Sequence, residues 1–192
     1  MSDRFALTLS RNRRMPLGFI GFLLVASFAG VVGAAEPTQT LRFTPIQISL
    51  APPAQIFSQD VPVRGLRLDV VYGVQREVSG LDVGLFNEVG ENLSGIGIGI
   101  LNISREEANG LQLGAANTVG GEFRGLQVAF ANHNEGNLAG AQIGVGNVTQ
   151  GGAGLQVGLF NQASSLKGVQ IGLFNLNENG ILPFFPIINF GF

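Results

Sequence analysis

The chain has 192 residues, no cysteine, 29 glycines, a formal net charge of −2 and only 12 % charged residues. That balance excludes a nucleic-acid footprint, and the missing cysteine excludes both a disulfide framework and a lipoprotein anchored through cysteine. A soluble globular domain usually carries about twice this charge, so the surface is bland enough for neutral side-chain ladders or for contact with lipid.

Residues 1–35 read as an export signal. Arg4, Arg11, Arg13 and Arg14 give a positive start, an apolar run extends from Leu17 to Gly33, and the small residues of Val32-Gly33-Ala34-Ala35 precede Glu36-Pro37. Cleavage is expected after Ala34 or Ala35; the run is also near the lower limit for a retained membrane anchor. The leader holds four of the 11 basic and one of the 13 acidic residues, so the remaining 157 carry a net charge of −5. Residues 36–64 follow as an N-terminal strand and cap. Arg42 to Leu50 alternates like an edge strand, and Ala51-Pro52-Pro53 ends it.

From Gly65 to residue 180 one phrase restarts eight times. Its opening glycines are Gly65, Gly80, Gly95, Gly110, Gly125, Gly140, Gly154 and Gly168, spaced by 15 residues and finally by 14. Each phrase reads Gly-h-Gln-h-Gly-h-x-Asn, where h is aliphatic or aromatic. Leu81, Val83 and Leu85 point one way, and Asp82, Gly84 and Phe86 the other; this period of two makes each phrase a strand of about seven residues. The aliphatic trio is expected inside, with Gln112, Gln127, Gln142, Gln156 and Gln170 forming a ladder outside. A further apolar residue in the connectors (Leu93, Phe123, Leu138 and Leu166) is expected to close a second side.

Burying three aliphatic side chains contributes about 5–8 kcal/mol per unit. Ordering fifteen residues costs roughly 15–30 kcal/mol of backbone entropy. A single unit therefore fails alone, and only neighbours on both sides make the array stable. Identical single-strand units want identical surroundings, which translation along an axis supplies. The expected fold is all-β, a solenoid with about 15 residues per coil. The alternative is an antiparallel outer-membrane β-barrel of about ten strands, with residues 43–50 and 184–192 joining the eight phrases. Against the barrel, each phrase is shorter than a tilted membrane strand requires, and the chain has no tryptophan and one tyrosine.

Asn87, Asn102, Asn117, Asn132, Asn147, Asn161 and Asn175 end successive phrases, with Tyr72 standing in the first. Stacked in register, they form a structural amide ladder at a corner or serve only as turn residues. Gly84, Gly99, Gly114, Gly144, Gly158 and Gly172 leave a strip where another backbone approaches closely, either as a contact surface or in packing within the protein. Residues 181–192 supply a C-terminal strand or cap.

The Gly-Leu-Gln-h-Gly-h-h-Asn units, with Val63-Arg64-Gly65-Leu66-Arg67-Leu68 before them and the ending Leu182-Pro183-Phe184-Phe185-Pro186-Ile187-Ile188-Asn189-Phe190-Gly191-Phe192, resemble a family of bacterial surface-repeat proteins. The resemblance implies an exported protein of the cell envelope, at the outer membrane or cell surface, with no catalytic residues to carry over. Gly97, Ala129 and Gly146 depart from the pattern.

No chemistry stands out elsewhere. His133 is the single histidine and sits in a polar connector without a partner cluster. Glu106 and Glu107 are adjacent, so on an extended segment they point apart. Gly151-Gly152-Ala153-Gly154-Leu155-Gln156 mimics a calcium-binding turn but has Gln156 where the aspartate should stand. The expectation is a non-enzymatic protein with no catalytic residue, metal or cofactor, in a structural, contact or adhesion role. The expected partner is the outer membrane or another envelope component; under the alternative fold the chain is a structural barrel or narrow pore.

Overall fold

The structure is a computed structural model that describes residues 42–192. Residues 1–41, and with them the expected export signal and its expected cleavage site, lie outside the described residues.

The described chain is all-β and winds into a solenoid of about nine turns. Its strands are β1 (Thr44–Ala51), β2 (Ala54–Gln55), β3 (Val63–Gln75), β4 (Val78–Val89), β5 (Asn92–Ile98), β6 (Leu101–Ser104), β7 (Glu107–Leu113), β8 (Ala116–Val119), β9 (Phe123–Val128), β10 (Ala131–Asn134), β11 (Asn137–Ile143), β12 (Gly146–Val157), β13 (Phe160–Gly172), β14 (Phe174–Asn177) and β15 (Ile187–Gly191). Each coil has a long side, such as β5, β7, β9 or β11, and a short side, such as β6, β8 or β10. Longer strands run through a bend: β4 carries the long and then the short side of one coil, and β12 joins the short side of one coil to the long side of the next.

Every pairing from one coil to the next is parallel, and from β4 to β14 it is in register. Gly80, Gly95, Gly110, Gly125, Gly140, Gly154 and Gly168 stand in one line. The seven asparagines stand in another. Parallel pairing rules out the antiparallel barrel. A meandering barrel reverses its direction at each strand, whereas here the connector returns the chain so that like residues meet like.

The first coil carries an offset. Asp69 pairs with Gly84, but Tyr72 pairs with Phe86 and Gly73 with Asn87. Gly73, not Tyr72, therefore occupies the asparagine line in the first coil. The Asp69 carboxyl fills the space that a side chain on Gly73 would take.

The interior reverses the expected orientation. Gln112, Gln127, Gln142 and Gln156 are fully buried, whereas Leu81, Ile96, Ile98 and Ile143 are exposed. Inward positions carry, in order along a coil, the connector apolar residue, the opening glycine, Gln, Gly, Asn and one small residue. Coil width explains the reversal. Sides of about seven and four residues enclose a channel with room for one row of Gln and one of Asn, each flanked by glycines that add no bulk. Three branched aliphatics per coil would overfill it. The apolar core reduces to the line Val63, Val78, Leu93, Ala108, Phe123, Leu138 and Leu166, with Val89, Val119 and Ala163 across from it.

The opening glycines are needed where they stand. Gly110 has φ +124°, and a Cβ there would land inside van der Waals contact of the Gly95 carbonyl oxygen one coil back. Each end of the stack carries a strand from outside the repeat. β1 adds in parallel to β3, and two-residue β2 folds back on it, with Gln47 bonded to the Phe57 backbone. At the other end β15 pairs antiparallel with β13. Each terminal segment thus adds a strand outside the repeat.

Candidate functional site

Two amide ladders run the length of the interior. On the long side Gln127 donates to Gln112 at 2.8 Å, Gln142 to Gln127 at 2.9 Å, Gln156 to Gln142 at 2.8 Å and Gln170 to Gln156 at 2.8 Å. On the short side Asn87 donates to Asn102, and the chain of bonds continues through Asn117, Asn132, Asn147 and Asn161 to Asn175 at 2.7–3.0 Å. Each asparagine amide from Asn87 to Asn161 also donates to a backbone carbonyl of the next coil, from Ile98 to Ile171. The asparagines are thus ladder members that also satisfy the corner backbone. The expected glutamine ladder exists, but inside rather than outside.

Gly84, Gly99, Gly114, Gly144, Gly158 and Gly172 pack within the protein. A Cβ at Gly99, Gly114 or Gly158 would meet the carbonyl one coil back and the asparagine amides beside it. This strip is closed by the chain itself and offers no outside contact.

The glutamine line changes character toward the N-terminus. Gly97 interrupts it, and Gln112 donates instead to Ser104 Oγ at 3.2 Å. Beyond the gap stand Asp82 and Arg67, both fully buried. Arg67 binds Asp82 through two bonds, Nε to Oδ1 at 2.7 Å and Nη2 to Oδ2 at 2.6 Å, and donates through Nη1 to the Glu88 carbonyl at 3.0 Å. Asp69 Oδ2 lies 3.0 Å from Arg67 Nε, but that N–H is already directed at Asp82; Ser49 donates to the other Asp69 oxygen. One guanidinium between two carboxyls does not offset their loss of water. Burial pushes both Asp69 and Asp82 above the ordinary aspartate range, against the downward pull of Arg67. Tyr72 donates to Glu88, which also pairs with the exposed Arg105; burial, then this bond, pushes the phenol upward. The sequence pattern did not single out this cluster, although Arg67 and Asp82 both stand at the glutamine position of the repeat.

The exterior is apolar over the long side and around its corner. One column of outward residues runs Ile46, Leu66, Leu81, Ile96, Leu111, Leu126, Ala141, Leu155, Val169 and Phe190; a second runs Ile48, Leu68, Val83, Ile98, Leu113, Val128, Ile143, Val157, Ile171 and Ile188. All twenty positions are apolar. At the corner Phe130 is 69 % exposed, and Phe160 stacks on Phe174 with ring centres 5.0 Å apart. Ionic groups gather instead where the connector enters the long side, and there Arg124 lies 2.6 Å from Glu122 and 3.8 Å from Glu107.

His133 is exposed on β10, between Thr118 and Val148 in register. Glu106 is exposed in a connector and Glu107 is exposed at the start of β7, while Gly151 to Gly154 lie within β12. Among the described residues, no group of three His, Asp or Glu side chains is placed to hold a metal ion, and no helix is long and apolar enough to cross a membrane. Comparison with family models, curated proteins and solved structures finds no match to this chain.

Proposed function

We propose that the chain is a non-enzymatic exported protein of the cell envelope whose stacked coils serve as a rigid contact surface. The observation that carries this reading is the exterior: twenty apolar positions in two unbroken columns across ten strands. The largest apolar patch on a monomeric soluble protein is typically about 300–600 Å² and is often functional. Interior amide ladders support the reading, because they hold successive coils at one height and so keep the outer columns straight. The leader and the surface-repeat resemblance support export and an envelope location.

Expression of the full chain in a bacterial host, followed by fractionation and mass measurement, tests the proposal. The expected result is recovery in the envelope fraction with a new N-terminus at Ala35 or Glu36. Recovery in the cytosol with residues 1–35 intact overturns it.

A further inference from the structure

We propose that the long side is a dimer interface, occupied by the long side of a second copy of this chain. The inference rests on the contact-surface reading and names the partner.

The dimensions fit. Ten strands about 4.8 Å apart make a face roughly 45 Å long, and three outward positions per strand make it roughly 15 Å wide. That surface is close to the ~800 Å² per partner of a standard stable interface. In-register pairing without a bulge from β4 to β13 sets the side chains in straight rows. Rows of this kind interdigitate with an identical set about 10 Å away, as sheets do when they pack face to face.

The surroundings favour protein over lipid. The outward residue just before the opening glycine is polar or charged in most coils: Arg64, Ser79, Ser94, Asn109, Arg124 and Lys167. It projects from the same side of the same strand as the apolar pair, two positions away. A bilayer receiving the apolar columns would take these charges into its hydrocarbon, at a cost of several kcal/mol each. Against a second protein they form a wet rim along one edge of a dry centre. The short side is a weaker candidate, because Thr118, His133 and Gln162 break its outward row.

A two-fold axis through the centre of the face falls between Leu111 and Leu126, so each lies near its own equivalent in the partner. The natural chain has no cysteine, which makes single-cysteine cross-linking clean. The full-length variants Leu111→Cys, Leu126→Cys and Ile98→Cys are expressed in cells and treated with a short membrane-permeant bismaleimide. Glu135→Cys, on a connector, is the control. The expected result is at least tenfold more covalent dimer from a long-side cysteine than from Glu135→Cys, abolished when Val128→Arg is added. Equal cross-linking of the control overturns the proposal, as does the absence of dimer from all three long-side variants. Labelling of those three by a lipid-soluble maleimide, without dimer, assigns the face to a bilayer and also overturns it. Because the cross-linker crosses membranes, the readout is independent of compartment. A cytosolic dimer would refute export and leave the interface standing.

Discussion

Gln127 donates its side-chain amide to Gln112, one coil back, at 2.8 Å, and this bond runs opposite to its neighbours across the channel. There Asn117 donates to Asn132, one coil forward, at 3.0 Å. The two ladders therefore point in opposite directions along the axis, and their amide dipoles oppose each other. Within the ladders, Gln127, Gln142 and Gln156 and the asparagines between Asn87 and Asn175 each donate to one neighbour and accept from the other, so the loss of one member leaves two buried groups without a partner.

Replacing Gln127 with Leu removes a donor to Gln112 and an acceptor for Gln142. The expected cost is about 2–4 kcal/mol, from two orphaned buried amide groups. Chemical denaturation measures it. A loss below about 1 kcal/mol would mean that the ladder contributes little.

The opening glycine should be intolerant of any side chain. Gly110→Ala forces a Cβ against the Gly95 carbonyl at φ +124°. Gly146→Ala meets no atom within 4 Å. The first is expected to destabilise by roughly 3 kcal/mol or more, and the second by well under 1 kcal/mol. Thermal unfolding of the two variants side by side checks the contrast.

Gly97 is a gap that can be filled. Its nearest neighbours to an added Cβ are Leu93 Cδ2 at 3.3 Å and Asn102 Oδ1 at 3.6 Å, so a side chain enters with a small adjustment. Gly97→Gln restores an acceptor for Gln112 and removes glycine entropy from the unfolded chain. Stability should rise by about 1 kcal/mol, read as a higher denaturation midpoint with unchanged slope. A drop would show that the gap is structural.

The buried carboxyls predict an unusual pH response. Asp69 and Asp82 are raised above their ordinary value of 3.8, so the folded chain keeps their protons to higher pH than the unfolded chain does. Their contribution to stability is complete below 3.8 and is lost as pH rises through the raised folded values. Asp69→Asn should flatten that part of the profile and raise the melting temperature at pH 7 relative to the parent, with the difference closing toward pH 4. Melting curves across this range test the sign, and a variant that gains stability only in acid would contradict it.

Much of the architecture was legible because the period is long, regular and glycine-marked, and stacking by translation follows from repeating a single strand. Inside and outside are inverted relative to the expectation. The trio Leu81, Val83 and Leu85 reads as core because aliphatic residues usually are, yet Leu81 is exposed. The parity of β9 decides otherwise. Phe123 and Gln127 are four residues apart on one strand and share a face, so the connector phenylalanine and the aliphatic trio cannot both point inward. The pattern already held that signal. The buried Arg67–Asp82 pair was harder to read, because charge at a repeated neutral position looks like drift until the stack closes over it.

Exchange of the side-chain amide protons, followed residue by residue by NMR, tests the inverted interior most directly. Strong protection is expected for the NH2 groups of Gln127, Gln142 and Gln156, and of Asn102, Asn117, Asn132, Asn147 and Asn161, with Gln150 and Gln162 on the outside exchanging freely. Free exchange at Gln127, Gln142 and Gln156 would place the glutamines in solvent and the aliphatic columns within, and would contradict the account.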